Sequence, residues 1–210
     1  MMKPANDTGP VPAGPDGDDD IAAVKQAARR AAMQARAAID PAGAAEALIA
    51  HFDQAFPDLA PGTMVSGYWP RTDELDLRPL LRHLAARGMR TCLPVVAGRG
   101  WPLLFRLWRE GHPLVPGAFK VMEPMQEAPI VRPELVLVPL LAWDRRGMRL
   151  GYGAGFYDRT LAALREDGPV LAVGAAYDGQ QMDRVPTDPY DQPLDMMLTE
   201  RGVVRFSPAP

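Results

Sequence analysis

The chain is poor in the residues on which covalent and transition-metal chemistry usually rests. It has one cysteine, Cys92, which excludes an intramolecular disulfide framework. That cysteine lies in an apolar stretch with no histidine partner in sequence, and it reads as a buried structural thiol. Only two serines occur, Ser66 and Ser207, and neither stands in a Gly-x-Ser-x-Gly elbow, so covalent hydrolase chemistry has no nucleophile. The three histidines, His51, His83 and His112, are isolated and fit no zinc-ligand spacing. No apolar run is long enough to span a bilayer, so no membrane partner is expected. A formal net charge of −3 argues against general nucleic-acid affinity, which needs a basic surface. Any anionic ligand must be held by local cations. The acidic, proline-rich amino terminus lacks the basic region and apolar core of a secretory signal, and a cytoplasmic protein is expected.

What is present is enough for one core: 210 residues, 47% of them hydrophobic. The expected organisation is a disordered tail over residues 1–17, rich in proline and glycine, then a single domain over 18–210. Asp18 to Asp20 form a cap for a helix starting at Ile21, in which Lys25 and Arg29 sit four apart on one face. On spacing alone they belong to a solvated basic stripe with Arg30 and Arg36. Asp40 as cap and Pro41 at the first position predict a second helix to about Phe56, where Pro57 stops it. A strand over Thr63–Trp69 then turns into a third helix, capped near Asp76 and ended by Gly88. Met89–Val96 and Trp101–Trp108 read as a hairpin. Gly111–Pro133 has no period, and a loop of that length in a compact domain suits a lid or binding loop.

The chain is organised around Gly151-Tyr152-Gly153-Ala154-Gly155-Phe156-Tyr157-Asp158-Arg159. The apolar run Leu135–Trp143 before it suits a strand buried on both faces; Tyr157–Leu164 reads as a helix and Pro169–Ala176 as the next strand, making a βαβ unit. In such a unit the loop leaving the strand's carboxyl end faces the binding crevice, where glycines let backbone N–H groups approach an anion. The loop is neither a Walker loop nor a dinucleotide fingerprint, and a tight turn using glycines for positive φ is the plainer reading. Arg149 and Arg159 flank it, and Asp158 falls where a helix dipole favours a carboxylate that can also hold Mg²⁺. Such a set suits a metal-bound nucleotide. Glu74, in the turn after the 63–69 strand, is otherwise a first-turn helix charge, and Asp178, Asp183, Asp188, Asp191 and Asp195 are otherwise a solvated loop. The expected fold is a three-layer α/β/α single domain with a mainly parallel, Rossmann-like sheet.

Arg149 to Arg159, preceded by Val138-Pro139-Leu140-Leu141-Ala142-Trp143-Asp144, closely resembles the signature of the 5-formyltetrahydrofolate cyclo-ligase (methenyltetrahydrofolate synthetase) family. The resemblance continues through Lys25 and Arg29, Glu74-Leu75-Asp76, Leu93-Pro94, Glu123-Pro124, Gln180, Val185-Pro186 and Asp191 to Asp195, ending at Leu198-Thr199-Glu200. It implies ATP- and Mg²⁺-dependent closure of 5-formyltetrahydrofolate to 5,10-methenyltetrahydrofolate, with release of ADP and phosphate. It also implies small-molecule partners only and a monomer. By the same resemblance Lys25, Arg29, Arg149, Leu150, Gly151, Tyr152, Gly153, Ala154, Gly155, Phe156 and Tyr157 contact ATP, with Arg149 and Tyr157 serving catalysis. Glu74, Trp69, Phe119, Tyr152 to Phe156 and Gln180 would contact the folate, and Asp158 with Asp191 would bind Mg²⁺. Two positions depart from the pattern: Ala154, where relatives carry lysine or glycine, and Lys120, where a small residue is usual. A non-catalytic folate- or nucleotide-binding protein and a sugar-phosphate isomerase or CoA-transferase on a similar sheet are the alternatives.

Overall fold

The computed structural model describes residues 16–71 and 73–206. Most of the expected tail, residues 1–15, lies outside the described residues. Helix α1 (Asp16–Ala37) is already formed at Asp16, so the expected start at Ile21 is corrected: Asp18 to Asp20 lie within the helix, not ahead of it. Next come α2 (Ala44–Ala55), β1 (Met64–Ser66), α3 (Arg78–Ala86), β2 (Arg90–Val96), β3 (Leu103–Leu107), β4 (Leu114–Pro116) and β5 (Met122–Pro124). The second half holds β6 (Leu135–Val138), β7 (Ala142–Trp143), β8 (Arg149–Leu150), α4 (Phe156–Glu166), β9 (Leu171–Ala175), β10 (Met196–Thr199) and β11 (Gly202–Arg205).

Seven strands form one sheet in the order β11-β10-β9-β6-β1-β2-β3. The pairs β2–β1, β1–β6, β6–β9 and β9–β10 are parallel, and an antiparallel strand closes each edge. Side-chain alternation sends Leu135 and Leu137 to one face and Val136 and Val138 to the other. The first face is covered by α2 and α3 through Leu48, Phe52, Leu80, Leu81 and Leu84; the second is covered by α4 through Leu161. Burial on both faces explains why β6 is apolar throughout. The three-layer, mainly parallel sheet expected from the sequence is the fold found. The chain winds one way from β1 to β3 and the other way from β6 to β11, so the topological switch point falls between β1 and β6. In open α/β sheets ligands bind outside the carboxyl ends of the strands at such a point.

Several boundaries differ from expectation. The apolar run Leu135–Trp143 is not one strand: Pro139 has no N–H for the ladder, and β6 ends at Val138. The chain then enters a separate hairpin, β7–β8, whose turn is built on the fully buried Asp144, which accepts hydrogen bonds from Arg146 N and Met148 N. The glycine loop therefore follows this hairpin and not the sheet strand itself. Asp40 and Pro41 do not open α2; Asp40 caps a turn by accepting from Ala42 N, and Gly43 at φ 72 is the N-cap residue. The strand expected over Thr63–Trp69 is shorter, Met64–Ser66. Within Gly111–Pro133, β4 and β5 form a small hairpin.

Helix α1 lies over the carboxyl end of the sheet, and its faces are reversed from the usual pattern. Lys25 and Arg36 are buried on the inner side with Ala28, Arg29 and Ala32 part-buried beside them, while Ala22, Ala23, Val24 and Ala27 face outward. Among the described residues no helix is long and apolar enough to cross a membrane.

Candidate functional site

Two segments meet at the switch point. After β1 the chain runs through Pro70 and Arg71 to Asp73 and Glu74; after the β7–β8 hairpin it runs into the glycine loop. Tyr152 joins them by donating its hydroxyl to Glu74 Oε1 at 2.6 Å. Glu74 is buried, with Oε2 accepting from Arg71 N at 2.8 Å. Burial and the nearby Glu74 charge both push the Tyr152 hydroxyl well above the usual tyrosine range, so it stays a donor. A cleft of about 580 Å³ opens on this side, lined by Arg36, Pro70, Arg71, Asp73, Glu74, Asp76, Arg78 and Tyr177 among others.

The glycine loop meets α4 at Gly155, which takes φ 66 and offers no side-chain cap. The first-turn N–H groups of α4 are therefore left for water or an anion. Arg29 lies against the loop: its Nε donates to Gly151 O at 3.0 Å, and a Cβ placed on Gly153 would come within 2.9 Å of its guanidinium carbon. At φ 94 Gly153 also holds a conformation that side-chain-bearing residues avoid. Beyond the loop, Arg159 donates to Ala154 O at 2.8 Å and lies over the Phe156 ring.

Two buried cations are paired with the two candidate metal carboxylates. Arg149 donates to Asp158 Oδ1 at 2.7 Å and to Gln192 O, and Asp158 Oδ1 also accepts from Gln192 N. Burial pulls the Arg149 pKa down and Asp158 holds it up, the net being below its ordinary value. Lys25 Nζ bridges Asp188 and Asp191, both at 2.6 Å. Burial lowers its pKa, but the two carboxylates outweigh that and raise it. Since Gln192 follows Asp191 directly, the Asp158–Gln192 bond brings both carboxylate segments to one place. No cluster of three or more histidine, cysteine or acidic groups is arranged for a metal among the described residues. Two carboxylates still fit Mg²⁺, which keeps several waters and takes phosphate oxygens. The bonds described use Oδ1 of Asp158 and Oδ2 of Asp191, leaving the other oxygen of each for a cation.

The remaining candidates divide. Phe119 is 53% exposed at the tip of the β4–β5 hairpin and meets Phe156 edge-on at 5.7 Å, so that hairpin leans over the start of α4. Tyr157 is half-buried against the second core cluster, and burial with the Glu74 charge raises its pKa, keeping it protonated. The Leu150 side chain faces the core, leaving only its backbone to the loop. Trp69 is taken up by Trp108, edge-on at 5.9 Å, and by Arg78 over its ring. The Gln180 amide is committed to Leu140 O, Leu141 O and Tyr177 N. Both stand on the Glu74 side: Arg78, over Trp69, lines the cleft, and Leu140 O, which accepts from Gln180, also meets Arg36. The residues missed by sequence reasoning are Asp188, three before Asp191, and Arg36, seven after Arg29 and so on the same helix face. Arg36 does not belong to a solvated stripe: it is 3% exposed.

The sequence model of the 5-formyltetrahydrofolate cyclo-ligase family matches residues 21–200. A 5-formyltetrahydrofolate cyclo-ligase of Escherichia coli (strain K12) is 34% identical over 156 residues, 70% of this chain and 84% of that protein. One from Mycolicibacterium smegmatis is 38% identical over 152 residues, 68% of this chain and 77% of that protein. The solved structure of Aquifex aeolicus 5,10-methenyltetrahydrofolate synthetase superposes with a TM-score of 0.69 at 29% identity, covering 89% of this chain and 95% of that one. A Mycoplasma pneumoniae synthetase shares the fold, with a TM-score of 0.65 at 21% identity over 84% of this chain and 98% of its own. With the family's sequence model matching residues 21–200 and its sheet sharing the fold of a solved synthetase, the chain belongs to the 5-formyltetrahydrofolate cyclo-ligase family.

Proposed function

We propose that this chain closes 5-formyltetrahydrofolate to 5,10-methenyltetrahydrofolate at the expense of ATP, releasing ADP and phosphate, with Mg²⁺ held by Asp158 and Asp191. The observation that carries this reading is the charge-balanced pairing at the phosphate end of the site. Lys25 with Asp191 and Arg149 with Asp158 are cation–carboxylate pairs beside a glycine loop and an uncapped helix start. A magnesium–nucleotide complex would match both signs of charge: Asp158 and Asp191 would hold the metal through their remaining oxygens, and Lys25 and Arg149 would meet phosphate oxygens. Bound there, Mg²⁺ would offset negative charge on the transferring phosphoryl group.

The chain's own residues then have distinct tasks. Arg149, Lys25, Arg29 and the loop N–H groups stabilise charge on the phosphoryl oxygens, mostly by being fixed beforehand. Glu74 accepts N–H bonds from the reduced pterin, with the Tyr152 hydroxyl giving way. Phe119 and Phe156 form an apolar wall that limits water. No protein nucleophile is required, in keeping with the scarcity of serine and the burial of Cys92. The substrate's formyl oxygen attacks the γ-phosphorus and ADP departs; N10 then attacks the activated formyl carbon and loses its proton, and the C–O bond breaks so that phosphate leaves carrying the former formyl oxygen.

The test is to mix the purified protein with 5-formyltetrahydrofolate, ATP and Mg²⁺ and follow the near-ultraviolet absorption of the methenyl product. A rise that vanishes without ATP or with EDTA is expected. No rise, with folate still binding in a parallel titration, would make the chain a folate-binding protein and overturn the proposal.

A further inference from the structure

We propose that Arg36 is a positioning residue that sets the folate end of the site by holding Glu74 and Tyr152 in register; the inference rests on the assignment of Glu74 to the folate. A guanidinium this buried is costly unless its donors are met, so its contacts show what it is for. Arg36 grips Asp73 with two bonds, Nε to Oδ2 at 3.1 Å and Nη2 to Oδ1 at 2.9 Å. Its Nη1 lies 3.5 Å from Leu140 O and 3.8 Å from Glu74 Oε1. Its carbon sits 5.6 Å from the centre of the Tyr152 ring. One side chain from α1 thus touches the turn after β1, the connection after β6 and the glycine loop, which are the segments on both sides of the switch point.

Two consequences follow from that placement. Asp73 and Glu74 are adjacent carboxylates, and the cation that meets both offsets their repulsion and fixes the direction of the second. The Arg36 cation also faces the Tyr152 ring, with Arg71 at 4.9 Å from the same ring, so the ring has a defined position from which its hydroxyl can leave Glu74. Arg36 lines the cleft beside Glu74 with its donors spent on Asp73 and Leu140 O, so its removal is expected to misplace the folate more than the nucleotide.

The experiment compares Arg36→Met, Arg36→Lys and Asp73→Asn with the unaltered protein, measuring KM for 5-formyltetrahydrofolate and for ATP separately, with thermal unfolding alongside. Arg36→Met is expected to raise the folate KM by at least about tenfold while the ATP KM stays within about twofold, the scale of a misaligned binding group. Arg36→Lys should recover part of the loss, because it restores charge without the bidentate geometry. Asp73→Asn, at a carboxylate 39% exposed, leaves the core packed and should raise the folate KM about threefold. Equal rises in both KM values, or an unchanged folate KM in the folded Asp73→Asn protein, would overturn the inference. If the unaltered protein itself shows no ATP-dependent turnover, the functional reading fails first, which is a separate result.

Discussion

At the residue scale the cations of the site differ in how replaceable they are. Arg149 is 7% exposed and fixed by Asp158 and Gln192, so its charge is set in place before a ligand arrives. Arg149→Ala should lower kcat by more than about tenfold, the scale of losing one preorganised donor. Unchanged steady-state kinetics would remove it from the chemistry. Asp158→Asn keeps an acceptor for Arg149 but loses the carboxylate charge, so half-maximal activity should need several times more Mg²⁺; an unaltered metal titration would take Asp158 out of the metal site. Cys92 is the opposite case. Burial pushes its thiol up to about 12, so at neutral pH it stays protonated. It should resist thiol reagents in the folded protein and react only as the chain opens.

At the element scale β9 shows how closely the layers meet. A Cβ on Gly174 would lie 2.6 Å from Met197 Sδ, 2.7 Å from Leu194 Cδ1 and 3.0 Å from Leu140 Cδ2. Gly174→Ala should cost about 1–3 kcal/mol by overpacking, seen as a lower urea midpoint with the slope unchanged. The sequence made this strand legible, along with β2 and β3 and α2 to α4, because apolar runs bounded by glycine and proline carry their own signal. It was less informative where that signal conflicted. Leu135–Trp143 is apolar throughout, yet Pro139 cuts it, and the Asp144–Gly147 turn that makes β7–β8 a hairpin is visible only if the aspartate is taken as an acceptor for its own backbone. In the site, the glycine spacing alone read as a tight turn, and the flanking charges were what pointed to an anion. Lys25, Arg29 and Glu74 needed the family's pattern, and Arg36 escaped both because a cation on an alanine-rich helix normally faces water.

For the whole molecule the paired charges set the pH range of stability. Burial opposes the charge of Asp188, but the hydrogen bond from Lys25 prevails and its folded pKa falls below the ordinary value; Asp76 behaves likewise beside Arg78. Groups depressed on folding add stability above their unfolded pKa and lose it as pH drops through the folded one. Lys25, raised on folding, adds stability that is present below its unfolded pKa and lost as pH climbs through the folded one. Urea midpoints should therefore be flat between about pH 5 and 9 and fall on both sides. Lys25→Met should blunt the acid and alkaline falls together; an unchanged profile would show that these pairs do not contribute.

The reversed faces of α1 carry one more consequence. Most helices dock by hiding apolar area, which dissolved ions hardly affect. This one docks by turning Lys25, Arg29 and Arg36 inward, with small alanines between them, onto partners such as Asp188 and Asp73 whose side chains are 31% and 39% exposed. Attraction between partly exposed charges fades as mobile ions gather around them. The helix that brings cations to both the phosphate end and the folate end of the site is therefore held in a way that dissolved ions can weaken at its exposed carboxylates, and loosening it would disturb both ends at once.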